Sequence, residues 1–290
     1  MEPGASLTRS TAERYGAGQP AVVVTGASQG IGLALARKFS EKGHNVVLVA
    51  REQARLAAAA EILRRPAGSG QVVRAIALDV THEEAYADLV QRLFVDGFYV
   101  DVLINNAGMG LCGAFAEQSN HDVERLIGLN IGALTRLTHQ AIADMRQRGR
   151  GHIINVASLG GYVPGPYQAA YYASKAYVLS LSEALAHELA GSGIRISVVA
   201  PGPVDTGFHA QMGAARALYR LMLPSLSPER VAASIYRGYR LGLRVIVPGA
   251  LNRAMSVALR LIPHPIAVPM IGWLLRPRAL EATHGQRKRK

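Results

Sequence analysis

Residues 25–32 read TGASQGIG and follow the apolar, β-branched run AVVV at 21–24. Such a run, punctuated by Gly26, Gly30 and Gly32, predicts a strand that turns sharply into a helix. Without Cβ atoms the backbone of the turn bends tightly and lets a ligand come close. The helix behind it points its free N–H groups and positive dipole end at that ligand, which suits an anion such as a pyrophosphate. The spacing is G-x-x-x-G-x-G rather than the commoner G-x-G-x-x-G. The same residues, GASQG at 26–30, also match the G-x-S-x-G elbow of an α/β-hydrolase, with Ser28 as nucleophile. An elbow normally follows several strands, whereas this turn follows the first, and no HGGG-like oxyanion segment occurs. The hydrolase is therefore kept only as an alternative.

Outward from this turn, short β-branched runs alternate with longer stretches of helical spacing. The candidate strands are 21–26, 45–50, 72–80, 100–108, 152–158, 194–202 and 244–249. Most are continuous apolar runs, as expected where helices cover both faces of a sheet. GLALARKFSEKG and AYVLSLSEALAHELAGSG are helical, the second ending in glycine. The alternation predicts an α/β fold: a single doubly wound parallel sheet of about seven strands, flanked by helices. Such sheets bind ligands at the carboxyl ends of their strands, so the residues just after each strand become the functional candidates.

The second strand ends at Arg51, about 20 residues past the glycines, where NAD-binding proteins usually carry an acid for the ribose 2′-OH. A guanidinium there pairs with a 2′-phosphate instead, so NADP(H) is favoured over NAD(H). Arg55, one helical turn on, is placed to help. Asp79, closing the third strand with Val80, is a candidate partner for the adenine amino group and equally a helix cap.

Seven segments now stand in order: TGASQGIG, LDV at 78–80, NNAG at 105–108, GLNIGA at 128–133, NVAS at 155–158, YYASK at 171–175 and APGPVDTGF at 200–208. In this respect the chain resembles the short-chain dehydrogenase/reductase family, from about Ala21 to Gly249. The resemblance implies a single-domain Rossmann-type fold, a nicotinamide cofactor and interconversion of alcohols and carbonyls. It implies Asn130, Ser158, Tyr171 and Lys175 as the catalytic set. It implies cofactor contacts at Gly26, Ser28, Gly30, Ile31, Gly32, Arg51, Asp79, Val80, Asn106, Ala107, Gly108, Tyr171, Lys175, Pro201, Gly202, Val204 and Thr206. Asn106 would brace the central sheet, Gly108 would let the backbone pass the cofactor, and no metal is implied. A homo-oligomer is the family's habit. A catalytically idle, NADPH-sensing or interaction protein of the same fold is the second alternative; the intact set speaks against it.

Helical spacing alone does not separate Tyr171 from Tyr172 as the partner of Lys175. The family's Tyr-x-x-x-Lys pattern selects Tyr171, leaving Tyr172 to line the pocket. A free tyrosine, with a pKa of about 10, is a poor acid–base group at neutral pH. An ammonium about 4 Å away is worth only about 1 kcal/mol in water, but about 4 kcal/mol, or about three pKa units, at an effective dielectric of about 20. The expectation is that Lys175 lowers the Tyr171 phenol toward neutrality in a partly desolvated site. Ser158 orients the carbonyl, and Asn130 positions a water beside Lys175. Singly, Ser158 is also an ordinary cap and Asn130 an ordinary partner of the local backbone.

The segment 203–230 is long, lacks strand character and is expected to act as a lid. Its Phe208, Met212, Leu218, Tyr219, Leu221 and Met222 predict an apolar pocket and a lipophilic substrate. The expected organisation is an N-terminal arm at 1–18, a catalytic domain at 19–250 and an extension at 251–290. The arm has no apolar signal-peptide core and Cys112 is the sole cysteine, which predicts a cytoplasmic protein. Of the net charge of +12, the last 15 residues, with six Arg or Lys and one Glu, supply five. The apolar stretch 261–275 contains three prolines and is too short to span a bilayer. With the basic tail it suits peripheral contact with an anionic membrane, and equally a neighbouring subunit or the pocket. Nucleic acid is not expected, because no stacking aromatics are interleaved with the basic residues.

Overall fold

The computed structural model describes residues 18–64, 70–214, 218–219 and 224–276. The N-terminal arm, except its last residue, and the predicted pocket residues Leu221 and Met222 lie outside them, as does the tail beyond Arg276. The chain forms β1 (Gln19–Thr25), α1 (Gly30–Ser40), β2 (Asn45–Ala50), α2 (Gln53–Arg64), β3 (Val73–Ala77), α3 (Ala85–Val95) and β4 (Phe98–Asn105). Helix α4 (Asn120–Ile127) runs through a π turn (Gly128–Ala133) into α5 (Leu134–Arg148). Next come β5 (Gly151–Val156), α6 (Ala169–Glu188), β6 (Ile194–Val199), the short α7 (Phe208–Gln211), α8 (Pro228–Arg240) and β7 (Val245–Ile246). Two further helices, α9 (Ala250–Leu261) and α10 (His264–Leu275), complete the described chain.

The strands form one parallel sheet in the order β3-β2-β1-β4-β5-β6-β7, as the alternation predicts. Several strands stop short of their predicted ends: β3 at Ala77, β6 at Val199, and β7 with two residues. The residues beyond, Asp79 and the segment from Pro201 to Thr206, turn away to face a ligand-sized cleft instead of continuing the ladder. Alternate side chains of the strands feed two cores. Val24, Leu48 and Ile104 meet Leu35, Phe39, Leu56 and Ile235 on one face. Val23, Leu103 and Ile153 meet Leu89, Leu137 and Ala141 on the other.

Two asparagines interrupt this apolar filling. Asn105 and Asn155 are register partners on β4 and β5, and Asn105 Nδ2 donates to Asn155 Oδ1 at 2.9 Å. Asn155 Nδ2 donates in turn to Ser182 Oγ at 3.0 Å, and Asn105 Nδ2 also reaches Thr138 Oγ1 at 3.1 Å. Buried amides need such partners, so these bonds fix the pairing of the two strands.

At the carboxyl end of β1 the backbone passes very close to β4. Gly26 has φ +65° and Gly30 φ +58°, conformations that favour glycine. Asn106 Nδ2 donates to the carbonyls of Thr25 at 2.9 Å and Gly26 at 3.2 Å, while Thr25 Oγ1 accepts from the N–H groups of Asn106 and Ala107 at 3.0 Å. This is the bracing the sequence predicts for Asn106. A Cβ on Gly32 would press on the Gly26 carbonyl and stand 2.6 Å from Asn106 Nδ2. Gly32→Ala is therefore expected to cost about 1–3 kcal/mol of stability through overpacking. Gly128→Ala, whose Cβ meets nothing within 4 Å inside a helical turn, should instead gain about 0.5–1 kcal/mol. Urea unfolding midpoints check the pair; a Gly32→Ala midpoint equal to that of the parent contradicts the close approach.

Candidate active site

A cleft of about 1060 Å³ opens over the carboxyl ends of the strands, where their order reverses beside β1. Its walls include Gly26, Ser28, Gly30, Ile31, Arg51, Asp79, Val80, Asn106, Ala107 and Gly108. They continue through Ser158, Tyr171 and Lys175 to Pro201, Gly202, Val204 and Thr206. Of the predicted site residues, Gly32 and Asn130 do not line it. Gly32 closes the turn from behind, and Asn130, 1% exposed, acts from within the π turn.

Helix α6 places Tyr171 and Lys175 one turn apart on the face toward β5. Lys175 is only 6% exposed, and its Nζ donates to the Val156 carbonyl at 2.9 Å. That carbonyl ends β5, and two residues later the Ser158 side chain stands beside Tyr171, where it acts to lower the pKa of the phenol. Ser158 Oγ also accepts from the Gly160 N–H at 3.1 Å, so the cap role and the site role coexist. Lys175 Nζ lies 5.8 Å from the centroid of the Tyr171 ring. Tyr172 packs on Gly160 and Gly165, at whose positions a Cβ would collide with its ring, and lines the cleft beside Tyr171.

Asn130 accepts from the Met109 N–H at 2.9 Å, and its Nδ2 donates to the Met109 carbonyl at 2.8 Å and to Ser174 Oγ at 3.0 Å. It latches the segment following β4 to helix α6, a long-range bond rather than a local one. Ser174, which the sequence reading passed over inside YYASK, is the other end of that latch; its Oγ donates to the Tyr171 carbonyl at 2.7 Å. A Cβ on Gly108 would stand 3.2 Å from Asn130 Oδ1 and 3.6 Å from Lys175 Nζ. Glycine thus keeps the floor open beside the ammonium, and with the left-handed Gly26 and Gly30 it forms a cradle shaped for an extended dinucleotide.

At the far end of the cradle, Arg51 has 63% of its side chain exposed and lies 4.0 Å from Asp79 Oδ2. Asp79 Oδ1 accepts from the N–H and hydroxyl of Thr81 at 2.9 and 2.7 Å, and these bonds with Arg51 hold the carboxyl below its ordinary range despite burial. Arg55 instead pairs with Glu52 at 3.1 Å. Thr206 packs its methyl against Gly30, 3.3 Å from where a Cβ would be, and its Oγ1 accepts from the Phe208 N–H at 3.3 Å.

The acidity differs from expectation. Burial pushes the Tyr171 phenol up to about 12, with the Ser158 hydrogen bond pulling the other way. Burial also brings the Lys175 ammonium down to about 8. Desolvation outweighs the predicted pull of the ammonium on the phenol, because the same dry wall that would amplify that pull also penalises both charges. The unfolded chain keeps Lys175 near 10.5, so between about 8 and 10.5 the native state binds fewer protons than the unfolded state. Stability contributed at this residue therefore rises with pH across that window. In cofactor-free protein, the Tm difference between the parent and Lys175→Met should shift in favour of the parent from pH 8 to 10.5. A difference that does not change with pH contradicts the burial of the charge.

Among the described residues no cluster of His, Cys, Asp or Glu is arranged to hold a metal. The model of the short chain dehydrogenase family matches residues 20–217. The chain is 35% identical over 191 residues to a 3-ketodihydrosphingosine reductase of Bacteroides thetaiotaomicron, covering 66% of each chain. The short-chain dehydrogenase of Sphingobium yanoikuyae, solved in complex with NADPH, superposes with a TM-score of 0.72 at 35% identity over 84% of this chain and 96% of that one. A short-chain dehydrogenase/reductase of Burkholderia phymatum in complex with NAD gives a TM-score of 0.74 at 27% identity, over 83% of this chain and 92% of that one. A match running from the first strand past Tyr171 and Lys175, on the fold those enzymes share, means that the chain belongs to the short-chain dehydrogenase family and is an oxidoreductase.

Proposed function

We propose that the protein transfers hydride between NADP(H) and a carbonyl or secondary alcohol on a lipophilic molecule. The observation that carries this reading is the continuity of the cleft: the glycine cradle, the Ser158–Tyr171–Lys175 group and an apolar chamber form one space. A bound nicotinamide supplies or accepts the hydride. The chain's own residues handle the oxygen and its proton. Ser158 Oγ, beside the phenol, donates a hydrogen bond to the substrate oxygen and fixes its direction. Tyr171 Oη delivers the proton as negative charge grows there, and buried at about 12 it is protonated at neutral pH, which suits reduction. Lys175 stabilises the phenolate left behind and, beside the space that Gly108 keeps open, would hold the ribose hydroxyls of a bound cofactor. Asn130 holds the Met109 backbone and helix α6 in place, so that these groups keep their spacing; a water beside Lys175 belongs to the same proposal.

The chamber beyond Tyr171 supports the lipophilic substrate. Val163, Phe208, Met212 and Tyr219 line it from the core and the segment 203–230. Of the predicted pocket residues Leu218 is not among the lining. Ile271 and Leu275 of α10 close it from the other side, so the extension covers the pocket. NADP(H) rests on Arg51, whose exposed guanidinium stands at the cradle's end with only a long contact to Asp79. The homo-oligomer and the cytoplasmic setting rest on the family resemblance and composition. No helix among the described residues is long and apolar enough to cross a membrane.

Tyr171→Phe is expected to lower kcat by about 10²–10⁴-fold for carbonyl reduction while cofactor binding persists. Following nicotinamide absorbance over a carbonyl panel, with a separate titration of cofactor fluorescence, checks both halves. Undiminished turnover would sink the acid role. Arg51→Ala is expected to weaken NADPH by about 10–100-fold, the loss of a charge-assisted bond of about 1.5–3 kcal/mol, with NADH nearly unchanged. Equal losses for the two cofactors, or preferred use of NADH by the parent, would overturn the NADP(H) assignment.

A further inference from the structure

The two helices that close the chamber have an outer side as apolar as their inner one. On α10, Ala267, Ile271 and Leu275 turn inward, at 0%, 8% and 2% exposure, while Ile266, Met270 and Trp273 turn outward at 63%, 40% and 60%. The outward three recur at helical spacing and make one stripe. On α9, Leu251, Val257 and Leu261 are 56%, 57% and 76% exposed, and Val257 and Leu261, four residues apart, share one face. Arg253 and Arg260 stand among them on α9. Arg260 lies over the Tyr162 ring at 4.4 Å and 3.7 Å from Glu183. From Ala250 to Lys290 the sequence carries eight Arg or Lys and one acid, Glu281. The chain beyond the last described residue, Arg276, is 14 residues long and ends in Arg287, Lys288, Arg289 and Lys290.

We infer that these two helices dock the enzyme on an anionic lipid surface, with Leu261, Ile266 and Trp273 entering the headgroup boundary and the basic tail pairing with lipid phosphates. An apolar stripe of this width suits in-plane insertion, and neither helix has the length to span a bilayer. Charge decides between lipid and a second copy of the chain. Self-association through this face would bring two cationic extensions together, whereas an anionic surface neutralises them. Met270 belongs both to the outer surface and to the cleft wall, so α10 borders the docking face and the chamber alike.

Trp273 is the sole tryptophan of the chain, so its emission reports directly on this face. The full chain, loaded with NADPH or free, is mixed with vesicles of phosphatidylcholine alone or of equal parts phosphatidylcholine and phosphatidylglycerol, and followed by flotation. The cofactor-free samples are also followed by Trp273 emission. The expected result is flotation and a blue shift with the anionic vesicles, both reduced by added salt. Leu261→Glu with Ile266→Glu should weaken partition at least tenfold while leaving cofactor binding intact, since neither residue lines the cleft. Removing residues 287–290 should weaken it by on the order of a thousandfold. Absence of flotation with either vesicle would overturn the proposal. So would partition unaffected by the Leu261 and Ile266 substitutions, or a concentration-dependent dimer that those substitutions abolish in the absence of lipid. Turnover plays no part in these measurements, so they stand apart from the test of the hydride-transfer reading.

Discussion

A buried ammonium group organises this molecule. Lys175 has water on almost no side and one carbonyl, that of Val156, to bond. A charge in such a place is unfavourable, and the fold holds it there by bringing three elements to one point. These are the end of β5, helix α6, and the segment after β4, where Gly108 leaves the space clear of a side chain. Ser158 and Tyr171 are placed as consequences of that meeting, two residues past the carbonyl and one helical turn before the lysine.

The site's acidity follows from the same dryness. In water a lysine would hardly affect a neighbouring phenol; in a dry wall it would affect it strongly, yet the wall itself opposes ionising either group. Here the second effect wins: the phenol stays protonated and the ammonium is brought near neutrality in strength. In the reaction proposed here the pair gives up a proton when negative charge arises beside it, rather than holding a phenolate in waiting.

Much of this was legible in the sequence because it depends on short-range pattern. The glycines of the first turn, the strand alternation and the Tyr-x-x-x-Lys spacing each reflect a local geometry that only certain residues satisfy. What was not legible depends on distance. Nothing near Asn130 says that its amide will bond the Met109 backbone and Ser174, which lie 21 and 44 residues away. The direction of the phenol's acidity depends on how thoroughly the cleft is walled, which no spacing reports. Helix α10 is apolar on every side, so periodicity could not assign Ile271 inward and Ile266 outward. The expected strands run past the paired ones because apolar residues such as Leu78, Ala200 and Val247 continue beyond the last strand positions before the chain turns to the cleft.

The asparagine pair on β4 and β5 bears on how such an enzyme can change. Side chains alternate across a sheet, so a slip of one residue between those strands would exchange every inward and outward position. It would also carry Ser158 off the phenol. Apolar contacts tolerate sliding, since one valine serves nearly as well as the next; two amides bonded to each other and to Ser182 and Thr138 do not. Alignment of the chemistry is thereby separated from the quality of the oily packing around it. The interior can drift by ordinary aliphatic replacements, and the pocket can acquire new shapes, while a few polar groups keep the reacting atoms in step.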